Sequence, residues 1–296
     1  MLLPYVGCTV KQLPAHLLIE AARTAVSHNP ANDVPAARGL HGVQFIAMLT
    51  SKFWGSQGRT LGVSFFDLPG GAGSRDDQLR NRIIDHMNAW QCSVRFRWSQ
   101  SGGEVRISRG GGGYWSYLGT DILHVSPNEP TMNLQGFTLD TQESECRRVV
   151  RHETGHTLGF PHEHMRAEIV RRINQAAAVA YFGRTQGWGP QEVRQQVLTP
   201  LDPGSIRATQ QADSVSVMCY ALPGEIMVDG QPVPGGMDID PLDFDFAASL
   251  YPLPASPPPP PAPPVSPPPP AAAGRIVIDL AARSVTVPPG VEVKTQ

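Results

Sequence analysis

Residues 152 to 164 read His-Glu-Thr-Gly-His-Thr-Leu-Gly-Phe-Pro-His-Glu-His, and this stretch holds four of the nine histidines in a chain of 296 residues. On a helix, His152 and His156 stand at i and i+4, so their rings lie on one face within reach of one ion. Glu153 sits about 100° further round the helix. From there it can approach a water on the ion without being a ligand. Gly159 permits a sharp exit at positive φ, after which the chain can turn so that His162 supplies a third nitrogen. Three imidazoles leave one coordination position open, as a catalytic zinc requires. Structural zinc sites are closed and usually contain cysteine, and no cysteine lies beside these histidines. Two histidines four apart also fit a merely exposed helix face. Five residues at fixed spacing, H-E-x-x-H-x-x-G-x-x-H, make that the weaker reading.

Upstream, Asp140 and Glu143 are spaced as a capping box for the helix that carries the cluster. Ser74 can cap an earlier helix from Arg75 to about Trp90, where Leu79, Ile83, Met87 and Trp90 recur on one face. Thr60 to Phe66, Val94 to Trp98 and Val105 to Ser108 have strand composition. A glycine run, Gly110 to Gly113, separates them from the aromatic run YWSYLGTDILHV. Leu17 to Val26 and Val43 to Phe53 read as helices in the N-terminal part. Downstream, helices are expected over Ala167 to Tyr181, over Gln191 to Val197, and from Asp240-Pro241 to about Leu250.

Composition narrows the function. The net charge of −2 gives no general pull toward nucleic acid. No apolar run approaches the ~20 residues of a membrane span. Thirteen of the 30 prolines lie between Pro252 and Pro270, a block that cannot join a packed core. It reads as an extended spacer on the order of 50 Å long. Beyond it, Arg275 to Val293 alternates like a β-hairpin, which alone is marginal in water. Cys8, Cys92, Cys146 and Cys219 are scattered and form no disulfide framework. The N-terminus lacks the basic, apolar and small-residue regions of a secretory leader. Residence in the cytoplasm and export without such a leader both stay open.

The motif HExxHxxGxxH is the metzincin signature. Extended through Met165 and Arg166, it resembles the astacin family of zinc metalloendopeptidases, in which Glu follows the third His and Arg follows a few residues on; here these are Glu163 and Arg166. Ser216-Val217-Met218-Cys219-Tyr220 resembles the family's Met-turn, which places Met218 beneath the metal. Tyr220 matches the tyrosine that swings between ligating zinc and stabilising the transition-state oxyanion. Tyr114 to Gly119 is similar to the segment before the rim strand that holds substrate, which implies an extended substrate against Leu118 to Val125. Asp240 to Pro252 is similar to the C-terminal helix. The chain departs from the family in lacking evident disulfide pairs and in having Cys219 where histidine is usual. In mature astacins the residue matching Glu163 meets a freshly cleaved N-terminus. Here about 58 residues precede the domain, so either they are removed or Glu163 pairs otherwise; a pair with Arg166 is preferred.

The resemblance implies an α+β metzincin fold: a twisted, mostly parallel sheet with two long helices over a less regular lower subdomain. Residues 1–58 would form an N-terminal extension or prosegment, 59–252 the peptidase domain, 253–273 a Pro-rich linker that engages a protein partner, and 274–296 a hairpin-like tail. The expected activity is hydrolysis of a peptide or protein substrate by a monomer. One Zn2+ per chain would be held by His152, His156 and His162, with Glu153 as general base and Tyr220 as oxyanion donor. The alternatives are a zinc-containing pseudo-peptidase that binds partners, and a zinc hydrolase of non-peptide amides. Cys8 can be drawn as a thiolate capping the zinc, although a cysteine outside the domain is more simply an idle thiol. His124 and His164 read as solvent-facing or as packing behind the ligands. Asp238, Asp240, Asp243 and Asp245 read as a capped helix start rather than a calcium site.

Overall fold

Alternation of small stretches of apolar residues builds the sheet. In the computed structural model, residues 7–33, 51–201, 212–254, 276–288, 290, 292 and 294 are described. The chain divides into two units, Met1–Pro254 and Ala255–Gln296. In the first, the strands are β1 (Cys8–Lys11), β2 (Arg59–Phe65), β3 (Val94–Trp98), β4 (Val105–Ser108), β5 (Tyr114–Tyr117) and β6 (Met132–Leu134). Leu61 and Val63 of β2, Val94 and Phe96 of β3, and Val105 and Ile107 of β4 are buried, the period-two pattern of a sheet with a covered face. The strand order is β1-β5-β6-β4-β2-β3. Every neighbouring pair is parallel except β5 with β6.

Ser74 Oγ accepts from Asp77 N–H and starts α2 (Arg75–Met87), which follows α1 (Leu18–His28). Leu79, Ile83 and Met87 of α2 and Val149 and Val150 of α3 (Glu143–Thr157) share one apolar cluster with Leu61, Val63, Ile107, Met132 and Leu134. After Gly159 the chain is less regular, as expected. Its second cluster gathers Ile169, Phe182, Val197, Leu222 and Met227 from short helices, turns and single bridges. Asp240 and Asp243 form a reciprocal capping box at the start of α5 (Pro241–Leu250), so the acidic run there is a helix start.

Three local expectations fail. Asp140 and Glu143 make no capping box, because the helix begins at Glu143 itself and Gln142 occupies the cap position without a side-chain bond. Glu143 pairs instead with Arg82. The stretch 167–181 is not one helix. Ala167–Val170 ends, and Asn174, whose side chain accepts from Ala177 N–H, starts α4 (Gln175–Gln186), which stops at Gly187 with φ +72°. Residues 118–125 are not extended, since Gly119–His124 is a 3-10 helix. Gly119 adopts φ +48° with the Lys52 carbonyl where a Cβ would stand. The extended segment just before it is β5.

The N-terminal strand β1 runs along the outer edge of β5, with Cys8 opposite Tyr114 and Lys11 opposite Tyr117. In the second unit, β7 (Val277–Asp279) and β8 (Ser284–Thr286) form an antiparallel hairpin. The helix expected over Val43 to Phe53 lies mostly, and the proline spacer almost wholly, outside the described residues. No helix among the described residues is long and apolar enough to cross a membrane.

Candidate metal centre

The zinc-type motif sits on the last two turns of α3 and the turn that follows. The C-terminal end of that helix is tied from outside: Trp54 Nε1 donates to Thr157 O at 2.8 Å, and the Tyr251 hydroxyl donates to Leu158 O. Gly159 then leaves the helix with φ +97°, and a Cβ there would press on Phe53 at 2.9 Å. That exit brings His162 back over α3. Its Nε2 lies 3.2 Å from His152 Nε2 and 3.0 Å from His156 Nε2.

Hydrogen bonds fix the tautomers of the first two rings. Val217 O is 2.6 Å from His152 Nδ1, and Phe160 O is 2.8 Å from His156 Nδ1. A carbonyl can only accept, so each Nδ1 carries the proton and each Nε2 presents a lone pair. Burial holds all three imidazoles well below their ordinary pKa, His156 down to about 4, so they are neutral. The Nε2 lone pairs of His152 and His156 both face His162 Nε2, and a cation between the three rings would take a lone pair from each. Tetrahedral Zn–N bonds would set the nitrogens about 3.3 Å apart, close to the separations found. The donor set fits a metal ion.

A fourth donor completes it. Cys8 Sγ and the ring nitrogens of His152, His156 and His162 all lie within 4.8 Å of one another, and all four residues are buried. The idle-thiol reading of Cys8 is thereby corrected: β1 carries the residue into the site. Its thiol donates to Glu153 Oε2 at 3.3 Å. Burial raises the Cys8 pKa well above the ordinary thiol value, with the neighbouring Glu153 adding to the shift. Burial also lifts Glu153 to about 8, against the lowering pull of the Cys8 hydrogen bond and the Arg148 charge.

The Met-turn is built beneath the cluster. Asp243 accepts from Ser216 Oγ at 2.6 Å and from Val217 N–H at 2.9 Å, and Val217 O in turn orients His152. Glu163 N–H donates to Met218 O at 2.9 Å. Met218 reaches α3 only because residue 155 is glycine: a Cβ there would stand 2.3 Å from Met218 Sδ. Gly155→Ala gains helix propensity of about 1 kcal/mol, but overpacking costs ~1–3 kcal/mol. The expected result is a lower urea midpoint and weaker metal retention; an unchanged midpoint would refute this packing account.

Tyr220 is fully buried, its ring 4.5 Å from that of His162 and stacked on His164 at 4.0 Å. His164 is itself buried rather than solvent-facing, and it donates through Nε2 to Gln196 O at 2.9 Å. Glu163 accepts from Arg166 Nη1 at 3.3 Å and from Asp213 N–H at 3.1 Å, so it does pair with Arg166. All four cysteines are free and buried.

Among solved structures, one of myroilysin aligns at 25% identity with a TM-score of 0.61, covering 69% of this chain and 96% of that one. A second myroilysin structure aligns at 22% identity and TM-score 0.50, over 83% and 100% of the two chains. The fold is astacin-like. A hatching enzyme zinc-protease from Oryzias latipes (medaka), high choriolytic enzyme 1, overlaps at 18% identity and TM-score 0.41, over 64% of this chain and 87% of its own, too loosely to carry an argument. No protein-family model and no curated protein matches the sequence. Within the astacin-like frame, Cys8 and Asp243 are the residues whose part at the site sequence reasoning undervalued. Cys8 had a signal, a lone thiol in an extended GCTVK segment. Asp243 had none beyond its helix cap, because its second partner lies 27 residues away.

Proposed function

We propose that the chain is a zinc endopeptidase whose centre is closed, in the form described, by its own N-terminal strand. The observation that carries this reading is the convergence of three neutral imidazoles beside a buried carboxylate, next to an edge strand of the sheet. His152, His156 and His162 would hold the ion. Imidazole with thiolate, and no carboxylate ligand, favours zinc over magnesium or calcium. Bound zinc supplies Lewis acidity, polarising a scissile carbonyl and acidifying water.

The chain's own groups supply the rest. Glu153, desolvated and raised toward neutrality, takes a proton from the attacking water and returns it to the leaving amine. Tyr220, packed against His162, would donate its hydroxyl proton toward the developing oxyanion, a contact worth ~3 kcal/mol where such donors have been removed. Strand β5 offers backbone groups to an extended peptide. In this form β1 occupies that edge, and Cys8 occupies the fourth donor position and binds Glu153. The protein would therefore be latent until β1 leaves.

The test is cleavage of an unfolded protein by the full chain and by Cys8→Ala, with metal content measured. Cleavage abolished by a zinc chelator and restored by added zinc is expected, strongest in Cys8→Ala. One zinc per chain with no cleavage by either protein, and none after residues 1–11 are removed, would overturn the peptidase reading in favour of a binding role.

A further inference from the structure

Segment 7–11 is gripped from two sides. On one side its backbone pairs with β5. On the other, the carboxamide of Gln196 takes both backbone groups of Val10: Val10 N–H donates to Gln196 Oε1 at 3.1 Å, and Gln196 Nε2 donates to Val10 O at 3.3 Å. Gly7 N–H donates to Gln186 Oε1 at 3.3 Å. Gln196 is 6% exposed and stands on a π-turn, Arg194–Leu198, a geometry that is rare and concentrated at functional sites. Its carbonyl receives the His164 ring that stacks on Tyr220. One residue thus joins the occupant of the cleft to the aromatic floor of the metal centre.

Cys8, two residues before Val10, touches Glu153. A peptide that lies along β5 and reaches Glu153 therefore has to carry a backbone amide past Gln196. Once β1 leaves, the buried carboxamide loses both partners, and an unmet buried amide is costly. An incoming backbone restores them. A carboxamide offers a donor and an acceptor side by side, so it pairs with the N–H and C=O of one residue whichever way the strand runs.

We propose that Gln196 is the substrate-backbone clamp of the cleft, holding an extended peptide against β5 about two residues from the bond over the metal. The clamp rests on the peptidase reading above. It selects unfolded peptide chains without regard to the side chain at that position, and β1 is the same type of ligand supplied in cis.

The experiment uses full-length Cys8→Ala protein and one peptide substrate, remade with each backbone amide in turn replaced by an ester. The ratio of kcat/KM for amide and ester is taken within each protein, so the fraction of chains with β1 displaced cancels. One ester position is expected to lower kcat/KM roughly fivefold to tenfold. Adding Gln196→Ala should shrink that ratio to about twofold or less. Gln196→Glu, which keeps the acceptor and the shape, should retain it. An undiminished ratio in Gln196→Ala would overturn the clamp, even if activity toward all substrates rose because β1 was released. Absence of chelator-sensitive cleavage in every protein would instead overturn the peptidase reading and the clamp with it.

Discussion

Glu153→Gln is expected to reduce kcat by about 10²–10⁴, the usual loss when a positioned proton-transfer group is removed, while the protein keeps one zinc per chain. The residue is next in sequence to His152 but does not point with it. His152, His156 and His162 turn their Nε2 atoms on one another at 3.0–3.2 Å, whereas the Glu153 carboxylate meets the Cys8 thiol. The carboxylate is therefore beside the fourth donor position rather than among the three nitrogens, so amidation should spare the ion. Glutamine matches glutamate in shape, and at 1% exposure the site tolerates no change of volume. A carboxamide cannot take the proton. The comparison belongs in the Cys8→Ala background, where the base is not occupied by the thiol. Turnover at the parental rate would remove Glu153 from the mechanism; loss of zinc together with activity would make it a ligand or a support instead.

The parts of this site that could be read from sequence are those encoded by spacing within one element. His152 and His156 follow from helical periodicity, and His162 follows once Gly159 is allowed a positive φ. Ser74 and Asp240 announced their helices because a cap acts within three residues. Failures arose where a distant partner won. Asp140 and Glu143 had the spacing of a capping box, but Arg82 and His86 from α2 hold Glu143, and the cap position falls at Gln142, two residues later than a box requires. An extended segment over 118–125 is what the family resemblance implies, yet the close approach of Lys52 to Gly119 fits only a tight turn. The Gln196 contact to Val10 spans 186 residues, and no local pattern encodes it. The same holds for Cys8, whose importance comes from the pairing of β1 with β5.

Cys8→Ala is expected to raise the activity of the full chain by on the order of tenfold or more, because a thiolate is a strong zinc ligand whose loss opens the position that substrate needs. The gain should stay below that of a fully open enzyme. Strand β1 keeps its pairing with β5 and its two hydrogen bonds to Gln196 when the thiol is gone, so the cleft remains partly filled. Ligation and strand pairing are separable by spectroscopy. With cobalt in place of zinc, the parent should show a thiolate-to-metal charge-transfer band that Cys8→Ala lacks, whatever the activity. Cys219→Ala serves as the control: its thiol is also buried, but it bonds to the Tyr220 carbonyl rather than facing the ligand nitrogens, so the band should persist. A Cys8→Ala protein no more active than its parent, with the band absent from both, would show that the thiol does not reach the ion. Latency, if observed, would then belong to the strand alone.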